Sequence, residues 1–358
     1  MIELKETLKS LISIPGLSGY EKPVRDVITE AWKPLVDEIS VSKLGSLHAL
    51  RRGNGPDPRP SILLATHMDA IGLMVTGVTN GLLRFTEIGG IDPRILPGQL
   101  VNVQGRKEIP GVVVQPADYL LPPSERGKSV NMHYLFIDTG LHEKDVLEQI
   151  RIGDLISFAQ KPLELTGNTL AGHSLDNRAS VAAITQCLIE LSHLQHPWDV
   201  WAVATVQEEE TLGGAITSTF DLKPDIAVAI DVTFAKGPGA NDWRTVSLSK
   251  GPSLGWGPNI HPHIYRRFEE IAEKLDIPYQ KDYMPSHSGT DAFGMQVVEE
   301  GVPTMVVSVP LRYMHTPVEL IAMKDLERTG RLIAEVIARL EVDFLEKMSW
   351  DEVEDEEK

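Results

Sequence analysis

A chain of 358 residues is long enough to bury a large core and suggests two domains. Hydrophobic residues at 42% and charged residues at 24% suit a soluble globular protein, and no run is long and apolar enough to cross a bilayer, so a membrane partner is not expected. A formal net charge of −17 argues against a nucleic-acid partner, because phosphate binding needs basic patches.

The N-terminus is a charged amphipathic segment without the apolar core of a signal peptide. Helical spacing of Leu4, Leu8, Leu11 and Ile12 predicts a helix over 3–14, which Pro15-Gly16 breaks. A second helix is expected from Lys22 to Val36, with Pro23 tolerated near its start. Residues 41–50 read as a strand, and 51–60 as a loop by their glycines and prolines. Ser61 to Thr66 is a short apolar run that leads directly into His67-Met68-Asp69. From Ala70 the texture changes. Two alternating runs, 71–79 and 82–88, flank Asn80-Gly81, the signature of a tight hairpin. Short β runs follow at 100–103, 109–115 and 155–159, with one modest helix at 143–149.

After Asn168 an α/β pattern resumes. Residues 175–180 lead into a helix expected to reach Leu194, which holds the single cysteine, Cys187, on an apolar face. One cysteine permits no intrachain disulfide and fits a reducing cytoplasm, the expected location. Val200 to Val206 is a strand by its β-branched apolar run, and a helix follows near Ala215. Ile226 to Ile230 is a strand ending at Asp231, Pro262 to Leu275 a helix, and Thr304 to Val309 a strand. Met323 to Met348 is a long amphipathic helix, and Asp351 to Glu357 an acidic tail. The alternation predicts an α/β fold with a mostly parallel sheet between helices and a small β-barrel-like domain inserted in it. The expected division is 1–69 with 166–348, an insert at 70–165, and a tail at 349–358.

Three consecutive carboxylates, Glu208-Glu209-Glu210, close an apolar strand. Burying such charge costs several kcal/mol unless a cation compensates it. Four strand candidates end in or near metal-binding residue types: His67 with Asp69, Glu208 with Glu209, Asp231, and His315. In open α/β sheets, sites form beyond the carboxyl ends of the strands, so these distant residues can converge. Asp176 adds a carboxylate just before a helix. Taken singly, each has a plain structural alternative: chance, a helix cap or a turn. Histidine among the carboxylates suits Zn²⁺ or Co²⁺ better than Mg²⁺ or Ca²⁺. His48, His133, His142, His193, His196, His261 and His263 lack such placement and read as surface or structural; His173 and His287 stay open.

The segments 65–72, 174–178, 206–209 with Gly214-Ala215, 229–233, 288–292 and 312–319 together resemble the dinuclear-metal aminopeptidases of the glutamyl-aminopeptidase type, also called tetrahedral aminopeptidases and sometimes labelled cellulases. That resemblance covers nearly the whole chain. It implies a metallo-aminopeptidase acting on peptides with two divalent ions per subunit, Zn²⁺ or Co²⁺. Asp176 would bridge the ions, with His67 and Asp231 on one and Glu209 and His315 on the other. Asp69 would orient His67, and Glu208 would be the general base. The resemblance also implies a homo-oligomer, often a dodecamer, with contacts made by the inserted domain. Thr211, His173-Ser174 and Phe234 depart from the family pattern without removing a ligand. A deacylase or carboxypeptidase of the acetylornithine-deacetylase type is a rival, but those relatives carry their extra domain later in the chain. A catalytically silent scaffold is a second rival, opposed by the intact Glu208 and ligands; glycoside hydrolysis suits the set poorly.

Overall fold

The computed structural model describes residues 3–350. Helices α1 (Leu4–Ile12) and α2 (Lys22–Trp32) bury the expected i, i+3/i+4 stripes. α2 is shorter than expected, and its end passes into one 3₁₀ turn at Lys33–Leu35, where Pro34 has no amide hydrogen to continue the ladder. The single strand expected over 41–50 is instead a hairpin. Strands β1 (Glu38–Val41) and β2 (Leu47–Arg51) pair antiparallel, and Gly45 turns between them with φ 110°. The apolar strand β3 runs Ser61–His67, so His67 is its last residue.

The chain then leaves the main sheet. Strands β4 (Gly72–Thr79), β5 (Leu82–Ile88), β6 (Leu100–Gln104), β7 (Glu108–Val114), β8 (Phe136–Asp138) and β9 (Leu155–Phe158) close into a barrel in the order β4-β5-β8-β7-β6-β9. Helix α3 (Glu143–Gln149) packs against β4. Asn80 and Gly81 both have positive φ, 53° and 82°, as a type I′ turn requires. Alternation is visible in β6, where Val101 and Val103 are buried and Leu100 faces out. The barrel encloses its own hydrophobic cluster around Leu73, Val75, Leu83, Ile137 and Ile156, separate from the main core.

Strands β10 (Leu163–Leu165) and β11 (Thr169–Gly172) bring the chain back to the sheet. There follow α4 (Leu175–Leu191), β12 (Asp199–Thr205), the single turn α5 (Glu208–Thr211), α6 (Gly213–Leu222), β13 (Ile226–Phe234), β14 (Ser253–Trp256), α7 (Pro262–Lys274), β15 (Gln280–Tyr283), α8 (Asp291–Gln296), β16 (Thr304–Arg312), β17 (Glu319–Ala322), α9 (Met323–Ala338) and α10 (Phe344–Lys347). The sheet runs β1-β2-β12-β3-β13-β16-β17-β11-β10, with β14 and β15 branching from β16. Its centre, β12-β3-β13-β16, is parallel. Apart from strand-end residues and Trp201, successive residues of these strands are buried, so both faces are covered. Helices α1, α4 and α9 form one packed group, and α6 and α8 form another. Cys187 lies in the main core on α4, where burial pushes its thiol well above the ordinary range.

Two further expectations change. β13 continues to Phe234 by pairing with β16, so Asp231 lies inside a strand and not at its end. The long C-terminal helix stops at Ala338, and α10 is a separate turn. The Arg339 carbonyl accepts from the Arg267 guanidinium and the Glu341 carbonyl from Trp198 Nε1, so side-chain donors replace helical amides there. The expected acidic tail lies at 351–358, outside the described residues. Among the described residues, no helix is long and apolar enough to cross a membrane.

Candidate active site

Parallel register brings the first ligand candidates together. Thr205 lies opposite His67, and Ala229 opposite Ala65, which sets Asp231 level with His67 on the neighbouring strand. β3 and β12 end at this level while β13 continues, leaving a recess beyond the two shorter strands. The buried His67 ring points into it. Its Nδ1 donates to the Asp69 carbonyl at 3.2 Å and lies 3.4 Å from Asp69 Oδ1, so Nε2 is the nitrogen that faces the remaining acids. Nε2 lies 3.1 Å from Asp176 Oδ1, 3.8 Å from Glu208 Oε2 and 3.9 Å from Asp231 Oδ1.

Asp176 arrives at the start of α4. The preceding Ser174 is left-handed at φ 62°, and the Asp176–Asn177 peptide is cis. Ser174 occupies the helix-cap position, so Asp176 is not the cap that a lone aspartate would suggest. Asn177 Nδ2 donates to the Ile230 carbonyl, and the fully buried Arg178 donates to the carbonyls of Leu11, Ile14, Gly16 and Met68. The residues after Asp176 are thereby tied to β13, to the end of α1 and the segment beyond it, and to Met68. Asp176 Oδ2 faces His315 Nε2 at 3.5 Å. His315, also left-handed at φ 59°, donates from Nδ1 to the Gly90 carbonyl at 2.8 Å, and its Nε2 lies 3.4 Å from Glu209 Oε2. The two rings therefore use the same arrangement, with Nδ1 tied to a carbonyl and Nε2 turned to carboxylates.

The three glutamates following β12 sit on the helical turn α5 and not at a strand end. Left-handed Gln207 and Leu212, at φ 58° and 56°, bracket it. Successive side chains are splayed by helical rotation. Glu208 and Glu209 enter the recess, while Glu210 Oε1 accepts from Gly89 N at 2.7 Å. The turn is anchored by Asp69, which accepts from the Glu208 and Glu209 amides at 3.0 and 3.3 Å and from Ser18 Oγ at 2.5 Å. Thr211 faces back into the turn, donating to the Gln207 carbonyl and accepting from Gly213 N.

Glu319 and Asp291 are buried acids beside the cluster that were given no role in the sequence. Glu319 accepts from the Asp176 amide through Oε2 and the His315 amide through Oε1, both at 3.0 Å. The signal for it was a lone glutamate four residues beyond His315 at the head of an apolar strand. Asp291 Oδ2 accepts from Thr205 Oγ1 at 2.6 Å. It lies in the 288–292 segment that carried the resemblance, where no role was assigned to it. His287 lies beside Phe293 in the cleft wall, and His173 packs against Phe158. His48 and His196 are buried and hydrogen-bonded to Ser218 and the Trp198 carbonyl, as structural histidines should be.

Burial dominates the electrostatics. It pushes Glu208 up to about 10, Glu209 to about 7 and Asp291 to about 6, and raises Asp231 and Glu319 well above the carboxylate range. Asp69 and Asp176 go the other way. Burial opposes their charge, but bonds from His67 to both and from His315 to Asp176 outweigh it and hold them low. His315 is raised to about 9, chiefly by Asp176. The protein groups alone leave this pocket short of positive charge.

The donor set fits divalent cations. Two ligands of one tetrahedral zinc, each at about 2.0–2.1 Å, stand about 3.3 Å apart. The opposed pairs of this site, His67–Asp176, His67–Asp231, His315–Asp176 and His315–Glu209, are separated by 3.1 to 3.9 Å. Donor atoms of His67, Asp176 and Glu209 also lie within 4.8 Å of one another, as groups gathered around a shared centre would. The recess opens into a cleft of about 780 Å³ walled by Phe234, Trp243, Tyr283, Met284 and Phe293. A cleft of similar volume, about 790 Å³, lies between α1 and the barrel, but its glutamates are surface residues and no acid cluster faces it.

The family model of the M42 glutamyl aminopeptidases matches residues 45–332. The chain belongs to this family. It is 36% identical to a lysyl aminopeptidase of Pyrococcus furiosus over 346 residues, covering 95% of this chain and 98% of the relative. The fold matches a crystal structure of a TET aminopeptidase from a marine-sediment thaumarchaeon at TM-score 0.91 and 31% identity, over 97% of this chain and 99% of that one. It also matches the TET1 peptidase of Pyrococcus horikoshii, which assembles into a tetrahedron or a large octahedral shell, at TM-score 0.82 and 32% identity, over 94% of this chain and 100% of that one. The M42 chain described here is an aminopeptidase, with a main α/β sheet and a closed barrel as in those structures.

Proposed function

We propose that this M42 aminopeptidase is a two-metal enzyme that removes N-terminal residues from short peptides. One observation carries the reading: the two oxygens of Asp176 face the Nε2 atoms of two different histidines, each held by its Nδ1. Asp176 would be shared by two divalent ions, Zn²⁺ or Co²⁺, with His67 and Asp231 completing one set and Glu209 and His315 the other. When bound, such ions polarise the scissile carbonyl and acidify a water. Glu208 acts as general base, taking the proton of the attacking water and passing it to the leaving amine. Its amide is tied to Asp69 while its carboxylate remains free to face the cleft. Asp69 holds His67 and the glutamate turn in register, and Glu319 holds the backbones of Asp176 and His315.

We further assign residues 1–69 and 166–348 to a catalytic domain and 70–165 to a domain that joins subunits. The barrel's separate core supports this, as do Leu100, Tyr119, Leu120, Leu147 and Ile152 exposed on it. By analogy with the assembling TET1 peptidase, the expected state is a dodecamer, read by light scattering. A cytoplasmic location fits the single buried cysteine.

The test is metal analysis together with hydrolysis of aminoacyl anilides in Zn²⁺ or Co²⁺, beside Glu208→Gln. About two ions per chain and cleavage of free-amine substrates are expected. Cleavage confined to N-acetylated substrates would sink the reading, and full activity in Glu208→Gln would remove Glu208 as the base.

A further inference from the structure

The cleft beyond the acid cluster has a graded lining. Near the mouth it presents Phe234, Trp243, Tyr283 and Phe293, all substantially exposed. Arg244, the cation on this wall, is already paired with Asp242. One further acid, Asp282 on β15, lines the same cleft and is 7% exposed. Asp282 Oδ2 accepts from Thr233 Oγ1 at 2.6 Å, and no cationic side chain pairs with it among the described residues. Burial raises its carboxyl above the ordinary range.

Its position follows from β13. Asp231 and Thr233 are two residues apart on one strand, so their side chains share a face about 6.7 Å apart. Thr233 hands that spacing on to Asp282. With its first carbonyl at Asp231 and His67, as proposed above, a peptide would have this wall available to its N-terminal side chain. A four-carbon stem ending in a cation is about as long as the Asp231-to-Thr233 spacing and would run past the aromatic side chains of this wall.

We propose that Asp282 is a specificity-determining residue and that the cleft selects peptides beginning with lysine or arginine. The inference rests on the placement of the scissile bond given above. An apolar N-terminal residue would cover Asp282 without supplying a partner, and a site built for a polar contact rejects substrates that lack it. A glutamate would set like charges together.

The experiment compares kcat/KM for lysyl, arginyl, leucyl, phenylalanyl and glutamyl anilides on the metal-loaded full chain. Wild type should favour lysine and arginine. Asp282→Asn should lower the lysyl-to-leucyl ratio about tenfold to a hundredfold, mainly through KM. Asp282→Glu should restore most of the ratio, and Asp282→Arg should raise the glutamyl-to-lysyl ratio. Competition by lysine amide against leucine amide gives a second readout in each variant. A wild-type preference for leucine, phenylalanine or glutamate, or a ratio unmoved by Asp282→Asn, overturns the proposal. Loss of all five activities in the wild type would instead indict the underlying site placement, so the two failures are distinguishable.

Discussion

Glu319 is the residue whose replacement probes the site most sharply, because it touches no substrate. Its two carboxylate oxygens accept from the amides of Asp176 and His315, each at 3.0 Å, in a fully enclosed setting. Glu319→Gln keeps the shape but supplies one acceptor and one NH₂ group. One of the two amides must then face a donor. An unsatisfied buried donor costs about 1–3 kcal/mol. The cost falls on whichever backbone turns away, and each backbone carries a proposed ligand; His315 is doubly sensitive because it is held in the left-handed region. Metal affinity should therefore drop about 10–100-fold, the usual range for partners that orient ligands. The assay is Zn²⁺ competition against a chromogenic chelator, with the visible spectrum of the Co²⁺-loaded protein as a check on coordination. If Glu319→Gln binds two ions with wild-type affinity and an unchanged Co²⁺ spectrum, the positioning argument is wrong.

Glu208→Gln should retain both ions while kcat falls by about 10²–10⁴, measured by metal analysis and anilide hydrolysis on the same sample. Asp69→Asn should cost about 10–100-fold in metal affinity or activity, because it loosens both His67 and the amides of Glu208 and Glu209. His173 is buried and neutral, pushed down to about 3 from 6.5 by burial and then by Arg178. Its folded value is depressed, so the stability it contributes is complete above pH 6.5 and is lost as pH falls toward 3. Between pH 6 and 4 that loss is about 2.5 kcal/mol, and denaturant titration of His173→Gln at both pH values should show the dependence reduced by that order.

The buried strands were legible because runs such as Ile62-Leu63-Leu64-Ala65 suit only a doubly covered sheet, and the Asn80-Gly81 hairpin because its turn demands two positive φ angles. His67 could be placed as soon as β3 was found. Other features depend on tertiary partners. β13 runs past Asp231 only because β16 is there to pair with it. α9 ends where Arg267 and Trp198 capture carbonyls from distant parts of the chain. The division of labour among Glu208, Glu209 and Glu210 comes from a helical turn framed by left-handed Gln207 and Leu212, neither a residue type that advertises that conformation. Glu319 and Asp291 lie in the motif segments 312–319 and 288–292, but their roles come from what they accept from, which residue type alone does not record.

Gly89 and Gly90 follow the second barrel strand, and their main chain reaches across to the other body of the protein. One amide is taken by Glu210 and one carbonyl by His315. A methyl on Gly89 would come within 2.6 Å of Ile71, and one on Gly90 within 3.3 Å of the His315 ring. This seam constrains how such proteins can be recombined. A barrel exchanged with that of a relative need match little in sequence, provided it returns the same two backbone atoms to the same place. A graft that arrives one residue long or short would preserve both folds and still turn His315 out of line.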